Sequence, residues 1–257
     1  MNLDVIGGAS KASASSIRVS RRPFFLALAG LFLFAAALRL YEQFFGWSAG
    51  LDSFAPEYQL YWGALLQAAT GLAIVGAGLT VYWLWRTRDR DLAALAPAAE
   101  LRRLQILLQL LTIHAIALAI GFSFFTEQTA VWNMTVVRDS DFTPSNIVTF
   151  HIAYPLFAII GFGAFTYART RLPSFAKGHS LAFGILVVGT FMAIPTVGFS
   201  QWGHTFWSME ETFASPVHWG FVFFGWMALA AFGVVLQVLA RLRELIGQEG
   251  VSLLIGR

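Results

Sequence analysis

Residues 200–218 hold the densest set of side chains that could do chemistry. The segment contains two of the five histidines, His204 and His218, the adjacent carboxylates Glu210 and Glu211, and no Lys or Arg. Ser200 and His204 are four residues apart, so they share a face if the preceding helix extends that far. Two imidazoles at neighbouring helix ends would begin a copper or zinc site. They could equally cap helices or bind loop carbonyls. The two glutamates could orient an imidazole or be solvated loop charges.

The composition indicates what must position these side chains. The chain has 257 residues, of which 57% are hydrophobic and 12% charged, against about a quarter charged in soluble domains. Several apolar stretches reach the roughly 20 residues that cross a bilayer. We therefore expect an all-α, polytopic membrane bundle of one domain. The basic residues form short clusters at helix ends, which argues against a nucleic-acid partner, and without cysteine no thiolate can bind a metal.

Six transmembrane helices are predicted. They run from about 23 to 45, 58 to 85, 101 to 125, 145 to 168, 181 to 202 and 216 to 246. Residues 1–22 are interpreted as a flexible cytoplasmic tail, 23–246 as the transmembrane domain and 247–257 as a C-terminal tail. Ser145 is the expected N-cap of the fourth helix. Pro155 lies inside that helix and predicts a kink.

The basic residues predict the orientation. Nearly all of them lie in the N-terminal tail, in residues 86–103 and 169–177, and in the C-terminal tail. The other three connections are acidic. Cytoplasmic loops carry the excess of Lys and Arg, so both termini are expected in the cytoplasm. His204 and His218 are then expected on the outer side.

A few polar side chains fall within the predicted spans. His114 is interpreted as an interhelical hydrogen-bonding residue or a proton relay. Arg39 and Glu42 are three apart and can pair on one face. A proton pathway or carrier built on these residues is an alternative function. Gln67 is expected to form an interhelical hydrogen bond, and small residues every four positions from 69 to 77 predict a close helix contact.

Five segments carry a family resemblance. They are Trp-Ser-Ala-Gly-Leu-Asp-Ser-Phe-Ala-Pro-Glu-Tyr (47–58), Thr-Arg-Asp-Arg (87–90), Val-Arg-Asp-Ser-Asp-Phe-Thr-Pro-Ser (137–145), Thr-Arg-Leu-Pro (170–173) and Trp-Gly-His-Thr-Phe-Trp-Ser-Met-Glu-Glu (202–211). In order and spacing, from about 24 to 235, the chain resembles the C subunit of the copper membrane monooxygenases. That family includes the particulate methane, ammonia and short-chain hydrocarbon enzymes. The 47–58 segment is more similar to the methane and hydrocarbon branch.

The resemblance implies a copper-dependent complex that oxidises a small apolar substrate with dioxygen. Two other monooxygenase subunits would be partners, in a trimer of heterotrimers surrounded by lipid. The location would be a bacterial inner or intracytoplasmic membrane, with the metal-site loops on the periplasmic or lumenal side. An ammonia monooxygenase subunit is an alternative.

The resemblance also assigns two metal sites, and the chain departs from one of them. The positions of the first site are Thr129, Asn133 and Asn146, whose hydroxyl and amide oxygens bind copper poorly. At the second site Ser200 replaces a weak Asn donor, and the two histidines named above, at 204 and 218, remain.

Replacements for the substituted site are few. Glu127 is the nearest carboxylate to Thr129. His151 lies five residues past Asn146, which in an α-helix places it on a different face. Two hypotheses therefore remain for this subunit. It binds copper through His204 and His218, or it is a metal-free structural or regulatory subunit.

Overall fold

The computed structural model describes residues 19–125, 143–178, 180–191 and 216–255. All regular secondary structure in these ranges is helical, as predicted. We number the helices α1 to α7 in chain order. They are α1 (Arg22–Ala49), α2 (Pro56–Arg86), α3 (97–125), α4 (Pro144–Arg171), α5 (Pro173–Ala176), α6 (Leu181–Phe191) and α7 (Pro216–Ile255).

Proline opens the first turn of several helices and explains two errors in the predicted boundaries. Pro97 begins α3 four residues earlier than predicted, and Ala96 before it is extended. Pro144 begins α4, so Ser145 lies inside the helix and the expectation of an N-cap at Ser145 is wrong. Proline fixes φ near the helical value and lacks an N–H that would be unpaired in the first turn.

Five helices within the described ranges are long and apolar enough to cross a membrane, namely α1, α2, α3, α4 and residues 225–247 of α7. The remaining predicted span is described only over α6, and its continuation to residue 202 lies outside the described residues. The last helix continues to Ile255, beyond the predicted end near 246.

Helix α3 lies at the centre of the bundle together with α4. The buried leucines of α3 recur at intervals of three, four and seven residues, at Leu104, Leu107, Leu111 and Leu118. They pack against α4 on one side and α7 on the other. A stripe with this period is the face that an α-helix turns towards a core.

The arginine-bearing connections meet at one end of the bundle, which we call the arginine end. Arg171 donates hydrogen bonds to the carbonyl of Leu84 at 3.2 Å and to the hydroxyl of Thr87. Arg103 donates to the Arg171 carbonyl at 2.8 Å and pairs with Asp89. These contacts join the ends of α2, α3 and α4, so residues 86–103 and 169–177 lie together, as the alternation of charge predicted.

The opposite end, which we call the Asn146 end, contains three π-helical segments. They are Gln59–Gly63 in α2, Ile120–Phe125 in α3 and Ile147–Ala153 in α4. Trp62, Phe125 and Ile147, one from each segment, belong to a single buried cluster. π-helical turns often occur at functional sites, so this end is the first candidate for a metal centre.

Candidate metal centre

The first turn of α7 brings His218 to the Asn146 end. His218 is the third residue of that helix, immediately after Pro216 and Val217. Helix α7 contacts the π segment Ile120–Phe125, which in turn contacts the π segment Ile147–Ala153 of α4. The helices that carry residues 146 and 218 therefore flank the same part of α3.

Asn146, the described member of the substituted family site, is completely buried. It ends the short turn Pro144–Asn146, and Ile147 and Val148 beside it belong to the buried cluster at this end. Thr149 is also fully buried, and its hydroxyl donates to the Phe125 carbonyl at 3.1 Å. The polar groups here are thus neutral amides and hydroxyls enclosed by apolar side chains. Such a set suits hydrogen bonding and does not suit copper.

The π-helical pairing changes the expected position of His151. The Tyr154 N–H donates to the Thr149 carbonyl, five residues earlier. In such a segment a residue five positions on lies about one turn away. His151, which is half-buried, is therefore nearer to the face of Asn146 than α-helical geometry predicts.

Gly50 allows α1 to reach the start of α4. A Cβ at residue 50 would overlap the Pro144 Cγ and the carbonyl oxygen of Gly46. Only glycine permits this approach, which brings residues 46–50 against the turn that contains Asn146. Gly50 was not among the predicted functional residues. Its signal in the sequence was the Ser-Ala-Gly run in the 47–58 segment.

Aromatic side chains fix the neighbouring part of α1 and α2. The Tyr41 hydroxyl donates to the Tyr61 carbonyl at 3.0 Å, and the Trp62 indole N–H donates to the Phe45 carbonyl at 3.1 Å. These residues wall the Asn146 end on the side formed by α1 and α2. The Tyr41 hydroxyl and the Trp62 indole N–H are thus satisfied by backbone carbonyls of the wall itself.

The polar residues predicted within the spans divide into two groups. Arg39 and Glu42 are paired, as expected, with 3.4 Å between the Arg39 Nη1 and the Glu42 Oε2. The structure adds that Glu42 is buried. His114 makes the expected interhelical bond, from its Nδ1 to the Phe157 carbonyl at 3.0 Å. Gln67, in contrast, is exposed on α2, and no described residue supplies the predicted interhelical partner.

The remaining candidate ligands lie outside the described residues. They are Ser200, His204, Glu210, Glu211, Glu127, Thr129 and Asn133. Within the described residues, no three His, Asp or Glu side chains are grouped closely enough to hold a metal. The histidine pair at 204 and 218 therefore stays a prediction.

Five long apolar helices joined through alternating ends of the bundle define a multi-pass membrane protein. The family model for the C subunit of ammonia monooxygenase/methane monooxygenase matches residues 7–249. The chain belongs to this family and is a subunit of a membrane monooxygenase complex. No curated protein matches the chain significantly.

Proposed function

We propose that the chain is the C subunit of a copper-dependent particulate monooxygenase that oxidises methane or a short-chain hydrocarbon. The family match over residues 7–249 carries the proposal. The 47–58 segment, similar to the methane and hydrocarbon branch, supports this substrate class over ammonia. Two other subunits, in a trimer of such heterotrimers within lipid, would complete the enzyme.

Copper is proposed to bind His204 and His218, with Ser200 or a water molecule as a weak further donor. Imidazole nitrogen is a good copper ligand, so the donor chemistry of this pair fits the metal. The set at Thr129, Asn133 and Asn146 does not fit, because its oxygens are neutral and the Asn146 amide is enclosed in the bundle. No copper is proposed there.

Each part of the chain has a separate role in this proposal. Copper, when bound, supplies the redox chemistry for dioxygen activation. Pro216 starts α7 and so fixes the turn that carries His218. The wall of Tyr41, Phe45 and Trp62 excludes water near the Asn146 end, and a dry site limits side reactions of reactive species.

The proposal is tested by a matched pair of histidine variants in the purified complex. His204→Ala is expected to lower the copper content and to weaken the nitrogen hyperfine coupling in the copper EPR spectrum, because one of the two proposed imidazole ligands is lost. His179→Ala is the control, because residue 179 belongs to the arginine-bearing connection. Unchanged copper and an unchanged spectrum in His204→Ala would refute the assigned ligand.

A metal-free structural or regulatory subunit is the second candidate. The buried, neutral environment of Asn146 favours it, because one family metal position has become a packing residue. Copper measured in the wild-type complex and in the separated subunits distinguishes the two. Copper confined to the other subunits supports the metal-free role.

A further inference from the structure

A cleft with a polar half and an apolar half opens at the arginine end, between α4, α6 and α7. The polar half has a volume of about 630 Å³, and its lining includes Ser174, Gln237, Arg241 and Glu244. The apolar half has a volume of about 470 Å³. Ser180 lines both halves, so they adjoin each other. Both volumes are within the range of about 300–1,000 Å³ that is usual for ligand pockets.

The cleft lies at the level where the helices leave the membrane. Helix α4 ends at Arg171, α6 begins at Leu181, and the apolar span of α7 ends at Gly247. Leu181, which lines the apolar half, is exposed. A ligand in this cleft therefore meets the polar headgroup layer on one side and hydrocarbon on the other.

Aromatic rings form a fixed wall in the apolar half. The ring of Phe183 packs edge-to-face against Phe165 and Phe175, with 5.5 and 5.6 Å between ring centroids. Gly184 lines the same half, and a Cβ there would meet nothing within 4 Å. The wall therefore borders a groove that an acyl chain can enter, and covering this apolar surface is favourable.

Two side chains near the junction of the halves have donors to spare. The Nη1 of Arg169 donates to the carbonyls of Phe175 and Gly178, both at 2.9 Å, while its Nε and Nη2 make no hydrogen bond to the described residues. The Oε1 of Gln237 accepts from the Ser180 hydroxyl at 2.6 Å, and its Nε2 has no acceptor in the described part of the chain. Guanidinium and amide N–H groups suit the oxygens of a phosphate.

The polar half also carries a carboxylate oxygen that is free to accept. The Oε2 of Glu244 accepts from the Arg241 Nη1 at 3.0 Å, whereas its Oε1 has no donor among the residues that the structure describes. The Nε and Nη2 of Arg241 are already occupied by Glu100. At this point the cleft therefore presents an acceptor to an ammonium group and no spare arginine donor to an anion.

We propose that the cleft binds a phospholipid with a primary amine in its headgroup, the chemistry of phosphatidylethanolamine. The phosphate lies beside Arg169 and Gln237, the ammonium donates to Glu244, and one acyl chain covers the Phe183 wall. An anionic headgroup without an amine lacks the group that Glu244 attracts. A trimethylated headgroup keeps the positive charge but has no N–H to donate. This inference does not depend on the proposed copper site.

Photo-crosslinking measures the site in the purified complex. The complex, in detergent, is incubated with a phosphatidylethanolamine that carries a diazirine in one acyl chain, and adducts on residues 173–191 are quantified by mass spectrometry. Unlabelled phosphatidylethanolamine is expected to displace this probe at a concentration at least about fivefold lower than phosphatidylglycerol or phosphatidylcholine. Glycerophosphoethanolamine, which has no acyl chains, is expected to require at least about tenfold more than the lipid.

Two variants with matched controls examine the two halves separately. Glu244→Gln keeps the shape of the side chain and is expected to reduce the headgroup preference to less than about twofold, with the probe still bound. Glu57→Gln, at an exposed position of the Asn146 end, is its control. Gly184→Leu fills the groove and is expected to reduce the adducts at least about fivefold. Gly30→Leu is its control, because a Cβ at Gly30 also meets nothing within 4 Å.

Each half of the site can fail independently. Equal displacement by the three lipids, or an unchanged preference in Glu244→Gln, overturns the amine recognition and with it the inference. Displacement by glycerophosphoethanolamine at the concentration of the lipid, or unchanged adducts in Gly184→Leu, overturns the acyl-chain groove and shows a site for a soluble amine instead.

Discussion

At the residue scale, His114 shows how one buried polar side chain is accommodated. A carbonyl can only accept a hydrogen bond, so Nδ1 carries the proton donated to Phe157. The imidazole is fully buried and occupies space left by Gly161, where a Cβ would lie 2.9 Å from its Cε1. His114 therefore joins α3 to α4, and the absence of a side chain at residue 161 makes the joint possible.

Gly161→Ala is expected to destabilise the protein by about 1–2 kcal/mol. The added methyl overlaps the imidazole, and this overpacking outweighs the gain in helix propensity. Gly184→Ala is the control, because its Cβ meets nothing within 4 Å. Thermal unfolding in detergent measures both, and equal melting temperatures for the two variants would contradict the fitted joint.

At the element scale, an ion pair ties α3 to α7. The Nε and Nη2 of Arg241 donate to the two carboxylate oxygens of Glu100, at 2.9 and 3.0 Å. The Glu100 side chain is 4% exposed, whereas Arg241 is 30% exposed and also pairs with Glu244. The two-point geometry fixes the axial position of α7 against α3, and a buried carboxylate depends strongly on its partner.

Arg241→Met is expected to destabilise the protein by about 2–4 kcal/mol, because it leaves the Glu100 carboxylate buried and unpaired. Glu244→Gln, at an exposed position, is expected to cost less than about 0.5 kcal/mol. The double variant Glu100→Met with Arg241→Met should be more stable than Arg241→Met alone. Thermal unfolding of the three variants measures this, and equal stability of the single and double variants would remove the buried charge as the cause.

At the scale of the whole molecule, the two ends of the helix bundle differ in charge. Arg103 and Arg171 hold the connections between α2, α3 and α4 together at the arginine end. The Asn146 end contains the acidic residues Asp52 and Glu57 near the end of α1 and the start of α2. Such an asymmetry orients a protein in the membrane.

Single cysteines test this orientation in a chain that has none of its own. Ala93→Cys and Ser53→Cys are both at exposed positions, at the arginine end and at the Asn146 end. A membrane-impermeant maleimide applied to intact cells is expected to label Ser53→Cys, and Ala93→Cys only after lysis. The reverse pattern would place the metal-site loops on the cytoplasmic side.

The sequence by itself determined that the chain is a helical membrane protein, that its basic connections lie at one end of the bundle, and which family it resembles. Span length, the arginine clusters and the family segments are local properties of the chain, so no tertiary contact is needed to read them. The buried leucines of α3 recur with the period of an α-helix, which is also a local property of the chain. The interhelical role of His114 could be anticipated, because a polar side chain within hydrocarbon needs a partner.

The tertiary structure decided which residues of different helices contact each other. Ser145 is not the N-cap because Pro144 starts the helix and Thr143 takes the N-cap position, two residues earlier than predicted. Gly50 and Gly161 matter only because Pro144 and His114 approach them from other helices. The π pairing of residues 147–153 altered the face of His151, and no periodicity in the sequence signals it. Gln67 meets no partner among the described residues, because α4, the main described neighbour of α2, packs on the opposite side of that helix.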